Sequence, residues 1–140
     1  INGHYENYQF IYEGVDLALR DLRGQSIPDV MLLSYWDFVT EKVISRLYPD
    51  GFPGWDVEHG GVMETSLMLE YFPDLVRMER VMDLPAADLP PYDLLPVDPT
   101  LTPESGCLSS AADASAEKGR ILADSIVTGI IGALRSRFTV

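Results

Sequence analysis

Apolar residues recur along residues 7–23 with the period of an α-helix. Ile11, Val15, Ala18 and Leu22 fall at i, i+4, i+7 and i+11, one stripe of a 3.6-residue repeat. Glu13, Asp16, Arg20 and Arg23 lie off that stripe. Gly24 supplies a C-terminal stop, and Pro28 follows just beyond. The pattern changes at 30–35, Val-Met-Leu-Leu-Ser-Tyr, a short and nearly continuous apolar run. Its length and composition predict a buried strand of a parallel sheet, fed by the preceding helix. Trp36 and Asp37 then fall just past the C-terminal end of that strand, the edge at which open α/β sheets bind ligands.

Further along, a short helix is predicted at 40–47, with Val43, Ile44 and Leu47 apolar. Pro49, Gly51, Pro53 and Gly54 make 48–56 a loop. A second clear helix is predicted from about Val57 to Phe72, ending before Pro73. Residues 85–103 hold six of the ten prolines, which leaves little room for helix or central strand. Tyr92, Leu94, Leu95 and Val97 predict that this irregular segment packs on something, a second subunit being one candidate. The last helix is predicted over 112–137, with Leu122, Ile126, Ile130 and Leu134 along one face. Gly129 and Gly132 each cost that helix about 1 kcal/mol relative to Ala, so close packing is expected to compensate. No internal repeat and no Gly/Ser linker occur. The pattern predicts an α/β domain but supplies only one strand. With an opening at Ile1 that lacks Met, that shortage predicts that most of the sheet lies outside this chain.

Composition narrows the classes. At 140 residues and 15.6 kDa the chain has room for one domain. Hydrophobic residues at 46% and charged residues at 23% exclude wholesale disorder. Twenty-two acidic against ten basic side chains give a formal charge of −12, a field that repels phosphate backbones and anionic lipid. Nucleic acid and membrane surfaces are therefore not expected partners. No apolar run approaches the roughly 18–20 residues of a bilayer span, and the opening residues lack the basic start of a secretory signal. The lone Cys107 has no internal disulfide partner, which fits a reducing compartment; a cytoplasmic location is expected.

Both histidines lie beside carboxylates. The first cluster is Asn2-Gly3-His4-Tyr5-Glu6-Asn7, just ahead of a helix. His4 and Glu6 are two apart, so both can face one side of a turn, and an imidazole with a carboxylate suits zinc or manganese. The same spacing also fits His4 bonding a helix start while Glu6 complements its dipole. The second cluster is Gly54-Trp55-Asp56-Val57-Glu58-His59-Gly60-Gly61. Histidine is the side chain type whose unperturbed pKa lies nearest neutrality, which suits His59 to giving and taking protons. The alternative is an acidic first helical turn with a surface histidine. Gly60 and Gly61 are tolerated where backbone approaches something closely, and Glu64 reads as a supporting acid. Trp55 on its loop and Trp36 at the strand end can stack on a small planar ligand or anchor their segments to the domain. Cys107 has no His or Lys near it in sequence and reads as an incidental thiol.

Taken together, these segments resemble the creatininase (creatinine amidohydrolase) family. The resemblance is carried by 2–7, by Leu-Ser-Tyr-Trp-Asp-Phe at 33–38 and by 54–61. It extends to Glu64-Thr65-Ser66-Leu67-Met68-Leu69, Pro-Pro-Tyr-Asp at 90–93 and Leu108-Ser109-Ser110-Ala111. The Asn-Gly-His-x-Glu-Asn segment is shared by the wider superfamily, whereas 54–61 is the most specific. The resemblance implies a three-layer α/β/α sandwich with a parallel sheet, a homohexamer, and a binuclear Zn2+/Mn2+ site. It implies reversible hydrolysis of creatinine to creatine by a metal-bridged hydroxide. In that scheme His4 binds one metal and Glu6, also catalytic, the other. Tyr5, Trp36, Trp55, Asp56 and Glu58 contact substrate, Trp55 on a loop that closes over it, and His59 carries the proton to the leaving nitrogen.

The family's remaining metal ligands, a Glu-x-His pair and a following Asp, do not occur in this sequence. The expectation is that 1–140 form the C-terminal part of a single creatininase-like domain, whose partner is the missing N-terminal half of the same protein. Without it the helices at 7–23 and 112–137 are expected to lack the sheet they pack on, and the fragment alone to be inactive. Two other readings stay open: a related amidohydrolase acting on another small amide or formamide, and an inactive assembly module.

Overall fold

Thr40 and Ser115 begin two helices by the same device. In the computed structural model, which describes residues 1–138, the Val43 N–H donates to Thr40 Oγ1 at 3.3 Å and the Lys118 N–H to Ser115 Oγ at 3.2 Å. Each hydroxyl satisfies an N–H that the first helical turn leaves without a partner. Four α-helices form: α1 Asn7–Asp21, α2 Glu41–Leu47, α3 Val62–Tyr71 and α4 Ala116–Arg137. Short 3-10 turns at Tyr35–Phe38, Trp55–Val57, Pro73–Leu75, Met78–Arg80 and Pro99–Leu101 punctuate the connections. No helix among the described residues is long and apolar enough to cross a membrane.

The core joins α2, α3 and α4 through Ile44, Leu47, Met63, Leu122 and Ile126. Burying each such side chain favours folding by about 1.5–3 kcal/mol. α4 reaches α3 at backbone level: a Cβ on Gly119 would overlap the Ser66 carbonyl oxygen. Ser66 is fully buried, and its hydroxyl accepts the Ser115 N–H at 3.1 Å. The Tyr35–Phe38 turn closes on α4, where Ser125 Oγ donates to the Phe38 carbonyl at 2.9 Å. A Cβ on Gly129 would meet the Phe38 ring at 2.7 Å, whereas one on Gly132 would meet nothing. The close packing expected at both glycines therefore occurs only at Gly129.

The structure corrects the expected fold class. There is no strand and no sheet among the described residues, and hence no three-layer α/β/α sandwich. Residues 30–33 have no regular secondary structure, and the sheet-like pairing beside them is an isolated parallel bridge between Asn2 and Ser34. It consists of Asn2 N–H to Leu33 O at 2.7 Å and Tyr35 N–H to Asn2 O at 3.2 Å. An apolar run favours extended backbone, but a strand also needs a ladder of neighbours, and this chain supplies one rung. The second helix begins at Val62 rather than near Val57, because Gly60 adopts a left-handed φ of 65° that breaks the helical path. The last helix does not lack cover, since its first half packs on α3 with Leu122 and Ala123 buried. α1 does lie open: it has no buried residue, and Phe10, Tyr12 and Leu17 are exposed.

The two glycines of α4 predict opposite effects. Gly119→Ala is expected to destabilise by about 1–3 kcal/mol through overpacking. Gly132→Ala has open space and gains helix propensity, so it is expected to be neutral or stabilising by up to about 1 kcal/mol. Denaturant unfolding of the two variants checks this, and equal effects would contradict the packing described.

Candidate active site

Asn2 organises the first cluster. It is 2% exposed, and its Nδ2 donates to the His4 carbonyl at 2.8 Å and to Ser34 Oγ at 3.1 Å. Its Oδ1 accepts the His4 N–H at 3.2 Å. A buried amide is costly unless bonded, so these bonds fix the turn that carries His4 just ahead of α1. The His4 side chain turns to Glu6, with Nδ1 2.5 Å from Oε2, both groups well exposed.

The second cluster is held from three sides. The Leu108 N–H donates to the His59 carbonyl at 2.8 Å and ties the turn to the 105–111 segment. Glu64, in the first turn of α3, reaches back so that Oε2 accepts the Gly60 N–H at 2.6 Å and lies 3.9 Å from His59 Nδ1. Glu58 caps α3: Oε1 accepts the Met63 N–H at 2.7 Å and the Glu64 N–H at 3.4 Å. Its Oε2 accepts the hydroxyl of Tyr48. Gly60 and Gly61 are needed for close approach, as the sequence implied. A Cβ on Gly60 would meet Cys107 Sγ at 2.6 Å, and one on Gly61 would meet Glu58 Oε2 at 2.6 Å and overlap Ser109 Oγ. That Ser109 hydroxyl is buried with no partner among the described residues.

These two turns, far apart in sequence, meet. The rings of His4 and His59 lie edge to face, with centroids 5.5 Å apart at 77°. Two imidazoles and the carboxylates of Glu6 and Glu64 thus share one locality. The donors suit zinc or manganese in kind, but no group of three or more potential ligands forms among the described residues. His4 and Glu6 therefore fit as part of a metal shell and do not complete one. A cavity of about 700 Å3 lies elsewhere, between α2, α4 and the Tyr35–Phe38 turn. Its walls carry Asp37, Lys42, Arg46 and Asp124 but neither histidine.

Other expected residues fall around this centre. Trp55 is 44% exposed on its 3-10 turn and packs edge-on against Phe52, with centroids 5.0 Å apart. Phe52 in turn packs on Tyr48 at 5.0 Å. Trp36 packs edge-on against Tyr35 at 5.3 Å, and Tyr5 and Asp56 are exposed. Of the expected site residues, His4 meets Glu6 and His59, His59 meets Glu64, and Glu58 accepts the Glu64 N–H. The sequence reading missed Tyr35 and Tyr48. Burial, then the carboxylates of Glu64 and Glu58, push the Tyr35 phenol above the ordinary tyrosine range. Burial, then Glu58, does the same to Tyr48. Both hydroxyls stay protonated at neutral pH. No spacing rule links Tyr48 to Glu58, because a loop rather than a helix joins them.

The chain is similar to known proteins over nearly its whole length. A family model described as creatininase, creatinine amidohydrolase, matches residues 1–134. The chain belongs to the creatininase family. A creatinine amidohydrolase from Pseudomonas putida is 59% identical over 141 residues, covering 99% of this chain. The chain spans 54% of that relative's length. Among solved structures, a creatininase described as the manganese form matches with a TM-score of 0.93 and 58% identity, over 98% of this chain and 55% of its own. A glutamate-to-glutamine creatininase variant complexed with creatine matches with a TM-score of 0.92 and 58% identity, over the same shares. The same variant in a zinc–zinc form matches with a TM-score of 0.93 and 58% identity, over 98% of this chain and 54% of its own.

Glu58 makes the site's stability depend on pH. Burial raises its carboxyl above the ordinary value, against the lowering effect of its hydrogen bonds to Tyr48, Met63 and Glu64. A carboxyl raised on folding favours the folded state while protonated, and that advantage is lost as pH rises through the raised value. Glu58→Gln is expected to flatten the fall in stability above about pH 4. Unfolding curves across pH measure this, and an unchanged slope would contradict the burial described.

Proposed function

We propose that the protein carrying this chain hydrolyses the cyclic amide of creatinine to creatine, reversibly and with zinc or manganese. The observation that carries the reading is the meeting of the His4–Glu6 pair with His59 and Glu64 in a chain of the creatininase family. His4 and Glu6 would hold metal. The chemistry that zinc or manganese supplies when bound is Lewis acidity toward the amide carbonyl and easier ionisation of water.

The remaining steps belong to the chain's own side chains. Trp55, half exposed at the rim, offers a face to a flat guanidine-like ligand. Asp56 and Glu58 supply acidic partners for its N–H groups. Tyr5 and Trp36 complete the substrate contacts. His59 holds a proton on its ring and delivers it to the leaving ring nitrogen. Glu64 Oε2, 3.9 Å from His59 Nδ1, is placed to orient that ring.

The same reading takes 1–140 as the C-terminal portion of one creatininase domain. It draws the remaining metal donors from the part of the family's length that this chain does not span. It also carries a homohexameric assembly and a cytoplasmic location. The uncovered apolar side chains of α1 support burial against further protein, since patches of this kind mark interaction surfaces.

Creatinine turnover by the metal-loaded protein tests the proposal. His59→Ala is expected to lower kcat by about 10²–10⁴-fold with metal content unchanged, and unchanged turnover would overturn the proton role. Trp55→Ala or Asp56→Ala is expected to abolish creatinine turnover. Hydrolysis of another small amide or formamide without hydrolysis of creatinine would replace this reading by that of a related amidohydrolase.

A further inference from the structure

We propose that Tyr48 is a positioning residue that holds both the rim and the proton-transfer ends of the site, Trp55 through the ring of Phe52 and His59 through the carboxylate of Glu58. The proposal rests on the roles given above to Trp55 and His59, and it assigns a role to a residue that touches neither of them.

Tyr48 is itself firmly based. It ends α2, its N–H donates to the Ile44 carbonyl at 2.9 Å, and its carbonyl accepts the Gly51 N–H at 3.2 Å. Its ring packs against the cluster of Ile44, Leu47, Met63, Leu122 and Ile126. From this base two arms extend. One is apolar: the Tyr48 ring meets Phe52 at 5.0 Å and Phe52 meets Trp55 at 5.0 Å, both inclined pairs of the kind aromatic quadrupoles favour. The other is polar: the hydroxyl donates to Glu58 Oε2, while Oε1 of the same carboxylate bonds the Met63 and Glu64 amides. Glu58, the residue before His59, is thereby tied to the core. The loop between carries Pro49, Gly51, Pro53 and Gly54 and has little hydrogen bonding of its own. A loop so built depends on lateral attachments for its shape, and Tyr48 provides one near each end.

The two arms separate experimentally. Tyr48→Phe keeps the ring and deletes the hydroxyl. Phe52→Leu keeps apolar bulk and deletes the aromatic contact. In the metal-loaded protein, Tyr48→Phe is expected to lower kcat by about 10- to 100-fold, since small misplacements of a reacting group cost that much, with KM within about two-fold. Phe52→Leu is expected to raise KM chiefly. Glu58→Gln combined with Tyr48→Phe is expected to fall no further than the worse single variant, because the Tyr48 hydroxyl acts through Glu58. Amide hydrogen exchange gives a readout that needs no activity. Tyr48→Phe should speed exchange at Met63 and Glu64 while leaving α4 unchanged, and Phe52→Leu should leave Met63 and Glu64 unchanged.

Wild-type kinetics in Tyr48→Phe, additive loss in the double variant, or exchange that rises evenly through α3 and α4 would each overturn the proposal. The last two mark a merely structural contribution. If the unsubstituted protein does not turn creatinine over, the functional reading fails, and the exchange pattern alone then decides whether Tyr48 holds Glu58.

Discussion

Gly119 carries no side chain, and α4 uses that to reach the backbone of α3 at Ser66. Ridge-to-ridge helix packing would keep the axes further apart, and one methyl group here would overlap a carbonyl oxygen. The approach buries Met63, Leu122 and Ser66 completely and fixes α3 along its length. The amino end of α3 carries the candidate chemistry, so the placement of the site depends on this contact. The short α2 is drawn into the same core through Ile44 and Leu47, and with it comes Tyr48.

From that rigid base, polar groups set the details. Glu58 and Glu64 both act at the first turn of α3, where unpaired N–H groups and the helix dipole favour carboxylates. Glu58 secures the turn from below, and Glu64 reaches back to Gly60 and toward His59. On the other side, the buried Asn2 binds Ser34 and the His4 backbone in one hydrogen-bonded unit. Neither histidine is buried. Each ring hangs from a turn whose backbone is held firmly, which gives a reacting group order without isolating it from ligand. Edge-to-face contact between the rings is the product of these two anchorages.

Much of this was legible in the sequence because local rules governed it. The helices at 7–23, 40–47 and 112–137 follow from periodicity and stop signals, and the structure shifts their ends by a few residues at most. The two clusters stood out because the chain has two histidines and both lie beside carboxylates. The strand expected at 30–35 does not form, since a strand is defined by its neighbours and Asn2 offers only one residue of pairing. The start of α3 was missed because Glu58, Gly60 and Gly61 build a turn there whose side-chain bonds span several residues. Tyr48 could not be found, because nothing in its spacing from Glu58 shows that a Pro/Gly loop folds one onto the other.

The proposed function places His4 and His59 in one metal-dependent site. Paramagnetic broadening by Mn2+ tests it most directly, using the protein with labelled histidine rings. The rings lie 5.5 Å apart, so manganese held by His4 and Glu6 must also be close to His59. The account predicts that the ring signals of both residues broaden together at the first additions of Mn2+. Broadening of His4 with a sharp His59 signal would contradict it.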